Sequence, residues 1–116
     1  MVKKCDLEER TYRFAKQCRI IINKLTYSIT NQEDSKQLVR SSGSVGANYI
    51  EANESLSKKD FLYRIKVSRK EAKESKYWLR LLRDMNRDLE REFDQLIKES
   101  DELRKILSAI INGSND

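Results

Sequence analysis

The residues of this chain best suited to chemistry are lysines and arginines that recur along one segment. Their steps of three and four residues alternate, which keeps them on one face of a helix with a drift of about 20° per heptad. We call this set the basic row: Lys66, Arg69, Lys73, Lys76, Arg80, Arg83 and Arg87, with Lys59 one heptad upstream. Like charges at these spacings destabilise a helix by about 0.2–0.5 kcal/mol per pair. The row therefore indicates a partner that supplies negative charge.

The excess positive charge of the chain is confined to the same segment. The 116 residues carry a net charge of +5, but Ser57 to Arg87 holds 11 basic and 4 acidic residues, a balance of +7, which leaves −2 for the rest. RNA or DNA is the expected polyanion, because a row of about 30 Å can follow several phosphates. No base-reading motif is present, so weak sequence specificity is expected. A solvated face that aids solubility and a dock for an acidic protein are the other interpretations.

One aromatic residue, Tyr77, lies beside Lys73 and Arg80 in the row. A tyrosine at this position can stack on a nucleic-acid base. Packing against the rest of the protein is the interpretation that we favour for it.

Catalytic chemistry has little support in this sequence. Without histidine there is no Ser-His or Cys-His nucleophile pair and no imidazole metal ligand. Cys5 and Cys18 lie about 20 Å apart along one predicted helix, so both are expected to be reduced, with Cys18 in the core. Glu71 and Glu74 are paired carboxylates, but di-iron bundles require Glu-x-x-His motifs. We therefore expect no enzyme activity, no cofactor and no metal.

Four helices are predicted to position these residues. Proline is absent, good helix formers dominate, and apolar residues recur at helical spacing over about residues 6–28, 36–53, 57–86 and 88–112. Short connections favour an all-α, antiparallel up-down-up-down four-helix bundle, with one domain over residues 1–116. A polar break is expected at Asn31 to Ser35. Asp6, Ser57 and Asp88 are the predicted N-caps, and Gly113 is predicted to end the last helix.

The middle of the second predicted helix, Ser41 to Ala47, contains two glycines. Each glycine costs a helix about 1 kcal/mol relative to alanine. The segment is therefore either a loop that splits the helix or a run of small residues that lets a neighbouring helix approach closely. The second interpretation is favoured, because the apolar period continues through the segment.

No stretch of the sequence approaches the ~20 apolar residues that a membrane span needs. The first residues, Met1 to Asp6, are basic but lack the apolar core of a signal peptide. A cytoplasmic location without membrane contact is therefore expected.

The segment Arg40 to Ala52, RSSGSVGANYIEA, resembles the signature of a bacterial four-helix-bundle family. These proteins are encoded within intervening sequences of large-subunit ribosomal RNA genes. The third predicted helix adds further matching positions: Lys58 to Phe61, Ile65, Glu71-Ala72, Glu74-Ser75 and Tyr77-Trp78-Leu79. Many members have glycine where this chain has Ala52, a minor departure. The resemblance covers roughly Phe14 to Leu107.

The resemblance implies a ring-shaped homopentamer. It also implies similarity to the accessory variability proteins of diversity-generating retroelements, which bind nucleic acid and a reverse transcriptase. Five polar residues lie in or beside the resembling motifs: Arg40, Asn48, Glu51, Glu71 and Glu74. We expect them to form a buried polar network between the second and third helices that fixes their register; simple surface exposure is the alternative.

Together these patterns predict a non-catalytic, homo-oligomeric accessory protein. It is expected to bind RNA or other nucleic acid through the basic row. The alternative is a protein-interaction scaffold that docks an acidic partner such as a polymerase or reverse transcriptase.

Overall fold

The computed structural model describes the backbone of residues 4–114 and the side chains of residues 6–114. Four α-helices make up nearly all of this part: α1 (Lys4–Ile22), α2 (Ile29–Asn53), α3 (Lys58–Met85) and α4 (Glu90–Ser114). One turn of 3₁₀ helix, Arg87–Leu89, joins α3 to α4. The described residues contain no strand, so the predicted all-α class is confirmed. None of the described helices combines the length and the apolarity that crossing a membrane requires.

Successive helices run in opposite directions. Between α2 and α3, Ser75 donates to Ser41 (Oγ to Oγ, 2.9 Å), and Arg64 donates to Asn48 (Nη1 to Oδ1, 3.2 Å). The partner's number falls as the residue number rises, which is the order of an antiparallel pair. Each described helix packs against its chain neighbours and α1 closes on α4, whereas the backbones of the diagonal pairs, α1 with α3 and α2 with α4, stay further apart. The chain is a four-helix bundle, as predicted.

The core lies along the bundle axis and is built from apolar side chains on every helix. Its fully buried large members include Phe14 on α1 and Phe93 on α4. Burial of one such side chain contributes about 1.5–3 kcal/mol relative to leaving it exposed. The other buried apolar residues are Leu7, Cys18, Ile21, Leu38, Val45, Tyr49, Ala52, Ile65, Ala72, Leu79, Leu82, Leu103, Leu107 and Ile111.

The connection between α1 and α2 differs from the prediction. It spans residues 23–28, so the expected polar break at Asn31 to Ser35 lies inside α2. Ser28 has an extended backbone and caps α2, because its Oγ accepts from the backbone N of Asn31 at 3.0 Å. Leu25 misled the pattern, since it continues the apolar spacing of α1 while packing on the core from the loop. The predicted end of the first helix is therefore six residues too late, and the predicted start of the second is seven residues too late.

Of the four residues predicted to cap or end a helix, only Ser57 does so. Ser57 does cap α3, because its Oγ accepts from the backbone N of Asp60 at 3.1 Å. Asp6 lies inside α1, which already begins at Lys4, and Asp88 lies in the 3₁₀ turn. Gly113 continues α4, because none of the described glycines has the positive φ of a left-handed C-cap. These three predicted caps are wrong.

Helix α2 runs without interruption through Ser41 to Ala47, so the loop alternative is wrong. Gly46 is required by the approach of α1. A Cβ on Gly46 would lie 2.8 Å from Oγ1 and 3.2 Å from Cβ of Thr11. At Gly43 the neighbour is only the flexible end of Arg19, whose Nη2 would lie 3.3 Å from an added Cβ. The small residues thus let α1 and α2 pack closely, as favoured from the sequence.

Candidate nucleic-acid interface

The structure divides the basic row into two lines of cations on α3. The inner line consists of Arg69, Lys76 and Arg83, and each of these side chains contacts α4. Their partners on α4 are, in that order, Ser108 Oγ (3.2 Å), Asp101 Oδ2 (3.1 Å) and Asp94 Oδ1 (3.0 Å). Both sets step by seven residues in opposite directions, so the contacts form an antiparallel ladder. The inner line holds α3 against α4.

Arg87 lies beyond α3 in the 3₁₀ turn and is also neutralised. Its guanidinium is 2.7 Å from Oε1 of Glu90 and 3.5 Å from Oδ1 of Asp84. Arg83 has a second carboxylate as well, Oδ1 of Asp84 at 2.9 Å. Hydrogen bonds to Asp94 and Asp84 raise the pKa of the Arg83 guanidinium above its usual value.

The basic row is therefore not a continuous line of free cations, because half of its members have partners within the chain. Lys76, Arg83 and Arg87 pair with carboxylates, and Arg69 binds a hydroxyl. The reason is geometric. A row with alternating steps of three and four covers two heptad lines about 50° apart, and only one of them is turned away from the neighbouring helix.

The outer line consists of Lys59, Lys66, Lys73 and Arg80, spaced by seven residues along α3. All four side chains are exposed. Within the described part of the chain they form no ion pair or hydrogen bond. At 1.5 Å per residue the line is about 32 Å long. This line is the part of the predicted site that the fold leaves free for a ligand.

Three further residues belong to this face, and the sequence analysis missed two of them. Tyr63, Lys70 and Tyr77 form a parallel heptad line beside the outer line, and all are exposed. Tyr77 packs against Trp78 in an edge-to-face arrangement, but 55% of the residue stays exposed, so packing accounts for only part of its surface. A search for aromatics repeated at heptad spacing among the basic residues would have found Tyr63.

The predicted polar network forms around one arginine. Arg40 on α2 binds Oε1 of Glu71 (3.3 Å) and Oε2 of Glu74, both on α3, and Trp78 Nε1 donates to the same Glu74 oxygen at 3.1 Å. Burial acts to raise the pKa of Glu74, but the hydrogen bonds from Trp78 and Arg40 outweigh it, so the pKa lies below its usual value. Glu71 is buried whereas Arg40 is exposed. The cluster therefore joins α2 to α3 at the bundle surface.

Two residues assigned to that network lie outside the Arg40 cluster, although Asn48 still joins α2 to α3 through Arg64. Asn48 binds Arg64 and the carbonyl of Ser44, and Glu51 is exposed with no side-chain partner among the described residues. The polar contacts actually buried between α2 and α3 are made by serines, which the charge-based reasoning overlooked. Ser75 donates to Ser41, and Ser68 donates to the carbonyl of Val45.

The described residues include no cluster of histidine, cysteine or carboxylate side chains that could hold a metal ion. Cys18 is a buried core residue, as predicted, and burial raises the pKa of its thiol to about 12. The side chain of Cys5 lies outside the described residues.

Comparison with known proteins identifies the family. A family model described as 23S rRNA-intervening sequence protein matches residues 3–109. The chain belongs to this family. The resemblance carried by the segment Arg40 to Ala52 is thereby confirmed. Among curated proteins, no match was found.

One solved structure is similar to this chain over most of its length. It is the crystal structure of a protein with unknown function from the S23 ribosomal protein family of Bacteroides thetaiotaomicron VPI-5482. That protein is 29% identical to this chain, and the match covers 90% of this chain and 97% of the other with a TM-score of 0.79.

The residues that carry the intervening-sequence resemblance are mostly packing residues here. Gly46 admits α1, Ser41 binds Ser75, and the carbonyl of Val45 accepts from Ser68. Family membership therefore accounts for the bundle. The outer line of α3 has to be interpreted from its own geometry and charge.

Proposed function

We propose that this protein is a non-catalytic, cytoplasmic accessory protein that binds RNA or other nucleic acid through the outer line of α3. One observation carries the proposal. The bundle partners every cation of the inner line, yet it leaves Lys59, Lys66, Lys73 and Arg80 exposed and without a partner in the described chain. Backbone phosphates at intervals along a strand match such a line.

The electrostatics of α3 favour an external anion. Neighbouring cations of the outer line are about 10 Å apart, close to the Debye length at physiological salt, so their fields overlap. No acidic side chain of the described bundle lies within ion-pair distance of them. A polyanion that binds along the line releases its condensed counterions, which is the main source of non-specific affinity.

The first test removes the charge of the outer line. The quadruple variant Lys59→Gln, Lys66→Gln, Lys73→Gln, Arg80→Gln should bind a fluorescein-labelled RNA at least tenfold more weakly at about 0.1 M salt. Its log–log salt dependence should be shallower by about 3, because up to four phosphate contacts disappear. Fluorescence anisotropy measures both. Helicity by circular dichroism should be unchanged, since these exposed side chains form no ion pair or hydrogen bond in the described bundle.

A second quadruple variant with the same loss of charge serves as the control. It replaces four exposed lysines outside α3 by glutamine: Lys16, Lys24, Lys98 and Lys105. This control should keep most of the affinity. Equal losses in the two variants would show that net charge, not the outer line, attracts RNA. If no RNA binds the unaltered protein and an acidic protein binds instead, the scaffold alternative replaces this proposal.

We also propose that the chain assembles with copies of itself through a groove between α1 and α2. The groove has a volume of about 600 Å³, and besides charged residues of α1 its lining includes the exposed side chains Tyr12 and Ile50 and the small residues Gly43, Gly46 and Ala47. Because α3 lies diagonally across the bundle from α1, copies seated there leave the outer line accessible. The family resemblance implies five subunits, and repetition of the outer line would raise avidity.

A pair of charged substitutions tests the groove. The double variant Tyr12→Glu, Ile50→Glu should reduce the mass measured by light scattering to that of one chain, because buried carboxylates without partners oppose association. Leu56→Glu is the matched control, since Leu56 is fully exposed on the turn between α2 and α3, outside the groove. If the unaltered protein already has the mass of one chain, or if Leu56→Glu alone dissociates the assembly, the groove is not the interface.

A further inference from the structure

Two exposed tyrosines stand on the outward face of α3, next to the outer line. Tyr63 is 61% exposed and Tyr77 is 55% exposed. They are 14 residues apart, which is about 21 Å along the helix and about 40° around it. The two rings therefore lie on the same side of the molecule.

Each tyrosine is bracketed by two cations of the outer line at the same spacing. Tyr63 follows Lys59 by four residues and precedes Lys66 by three. Tyr77 has the same spacing from its own two neighbours, Lys73 and Arg80. The face thus contains the unit cation, tyrosine, cation twice, with each ring about one helical turn from a charge on either side.

Each tyrosine ring contacts one neighbouring side chain. The guanidinium carbon of Arg64 lies 5.7 Å from the centre of the Tyr63 ring. The ring of Tyr77 meets Trp78 edge-on, with 4.9 Å between centroids and 81° between planes. Because more than half of each residue stays exposed, each ring retains surface for a flat ligand.

An aromatic ring flanked by cations suits a base with its adjoining phosphates. In single-stranded nucleic acid the base faces are available to stack on tyrosine while the phosphates meet lysine or arginine. In a duplex the same faces are covered by neighbouring base pairs, and only phosphates and groove edges remain for an α-helix. Stacking on tyrosine therefore adds affinity only for a single strand, whereas the cations of the outer line attract both a single strand and a duplex.

We infer that the ligand of this face is single-stranded nucleic acid, with bases stacked on Tyr63 and Tyr77 and phosphates on the flanking cations. The inference rests on the proposed function and specifies its ligand. Stacking on tyrosine tolerates any base, so affinity should exceed that for a duplex of equal charge without strong dependence on sequence.

The test compares two probes on the full chain by fluorescence anisotropy. One is a labelled oligouridylate of about 20 nucleotides, and the other is an RNA duplex with the same number of phosphates. The double variant Tyr63→Leu, Tyr77→Leu keeps apolar bulk on the helix but removes both rings. Its Kd for the single strand should rise about tenfold or more, while its Kd for the duplex should stay within about twofold.

Two further variants guard the interpretation. The double variant Tyr63→Phe, Tyr77→Phe keeps both rings and should bind the single strand like the unaltered protein. Tyr27→Leu removes an exposed tyrosine from the loop before α2 and should change neither Kd. If both probes bind but the double leucine variant loses them equally, or loses neither, the stacking inference is overturned and the proposed function stands. If the unaltered protein binds neither probe, the proposed function itself is overturned.

Discussion

Replacement of Phe93 by alanine should lower the free energy of unfolding by about 3–5 kcal/mol. Phe93 is fully buried on α4, so its removal leaves a cavity that the surrounding side chains fill only in part. Denaturation in urea followed by circular dichroism measures the loss. All variants should be compared at one protein concentration, because self-association adds to apparent stability.

Phe61→Ala is the matched control for that experiment. Phe61 lies in the first turn of α3 and is only half-buried against the core. The same deletion of a ring should therefore cost less than at Phe93, because part of the surface is already in contact with water. Equal losses at the two positions would contradict the placement of Phe93 at the centre of the bundle.

Gly46→Leu should lower the free energy of unfolding by about 3 kcal/mol, although leucine is the better helix former. A Cβ at this position would lie 2.8 Å from Oγ1 of Thr11, closer than real Cβ atoms come, so α1 must move away from α2 to admit a side chain. The lost packing outweighs the gain of less than about 1 kcal/mol in helix propensity. Thermal or urea unfolding measures the effect.

The same substitution at Gly113 isolates the steric contribution. A Cβ on Gly113 meets nothing within 4 Å, and the residue is helical and exposed. Gly113→Leu should therefore leave stability unchanged or raise it slightly. A loss at Gly46 no greater than at Gly113 would show that the contact with Thr11 does not govern the packing of α1 on α2.

The helical fold could be predicted because the apolar period and the cap at Ser57 are local properties of the sequence. The connection between α1 and α2 could not. Leu25 extends the apolar spacing of α1 from a loop, and Asn31 is a polar residue buried inside a helix. The Asn31 amide is satisfied by a pair of hydrogen bonds with Asn86, 55 residues away, which no local pattern reveals.

The candidate site could be predicted only as a face of one helix. Steps of three and four residues say that the cations share a side of α3, but they do not say where the neighbouring helix lies. That information is held by α4, where Asp94, Asp101 and Ser108 repeat at heptad spacing. Comparison of the two periodicities would have indicated that α4 neutralises part of the basic row. Whether Glu51 reaches the Arg40 cluster depends on the rotation of α2 about its own axis, and the helix pattern alone does not determine that rotation.

The ladder between α3 and α4 has a consequence for alignment. Because its rungs repeat every seven residues, sliding α4 by one heptad, about 10 Å, would place Asp101 opposite Arg69 and Asp94 opposite Lys76. The two alignments of α3 and α4 would thus form the same number of ion pairs between these residues. What selects one of them is the short connection after α3, where only Asn86 and a single 3₁₀ turn intervene before α4. The slipped arrangement would require this turn to unwind into extended chain, so the folded connection favours the observed ion pairs.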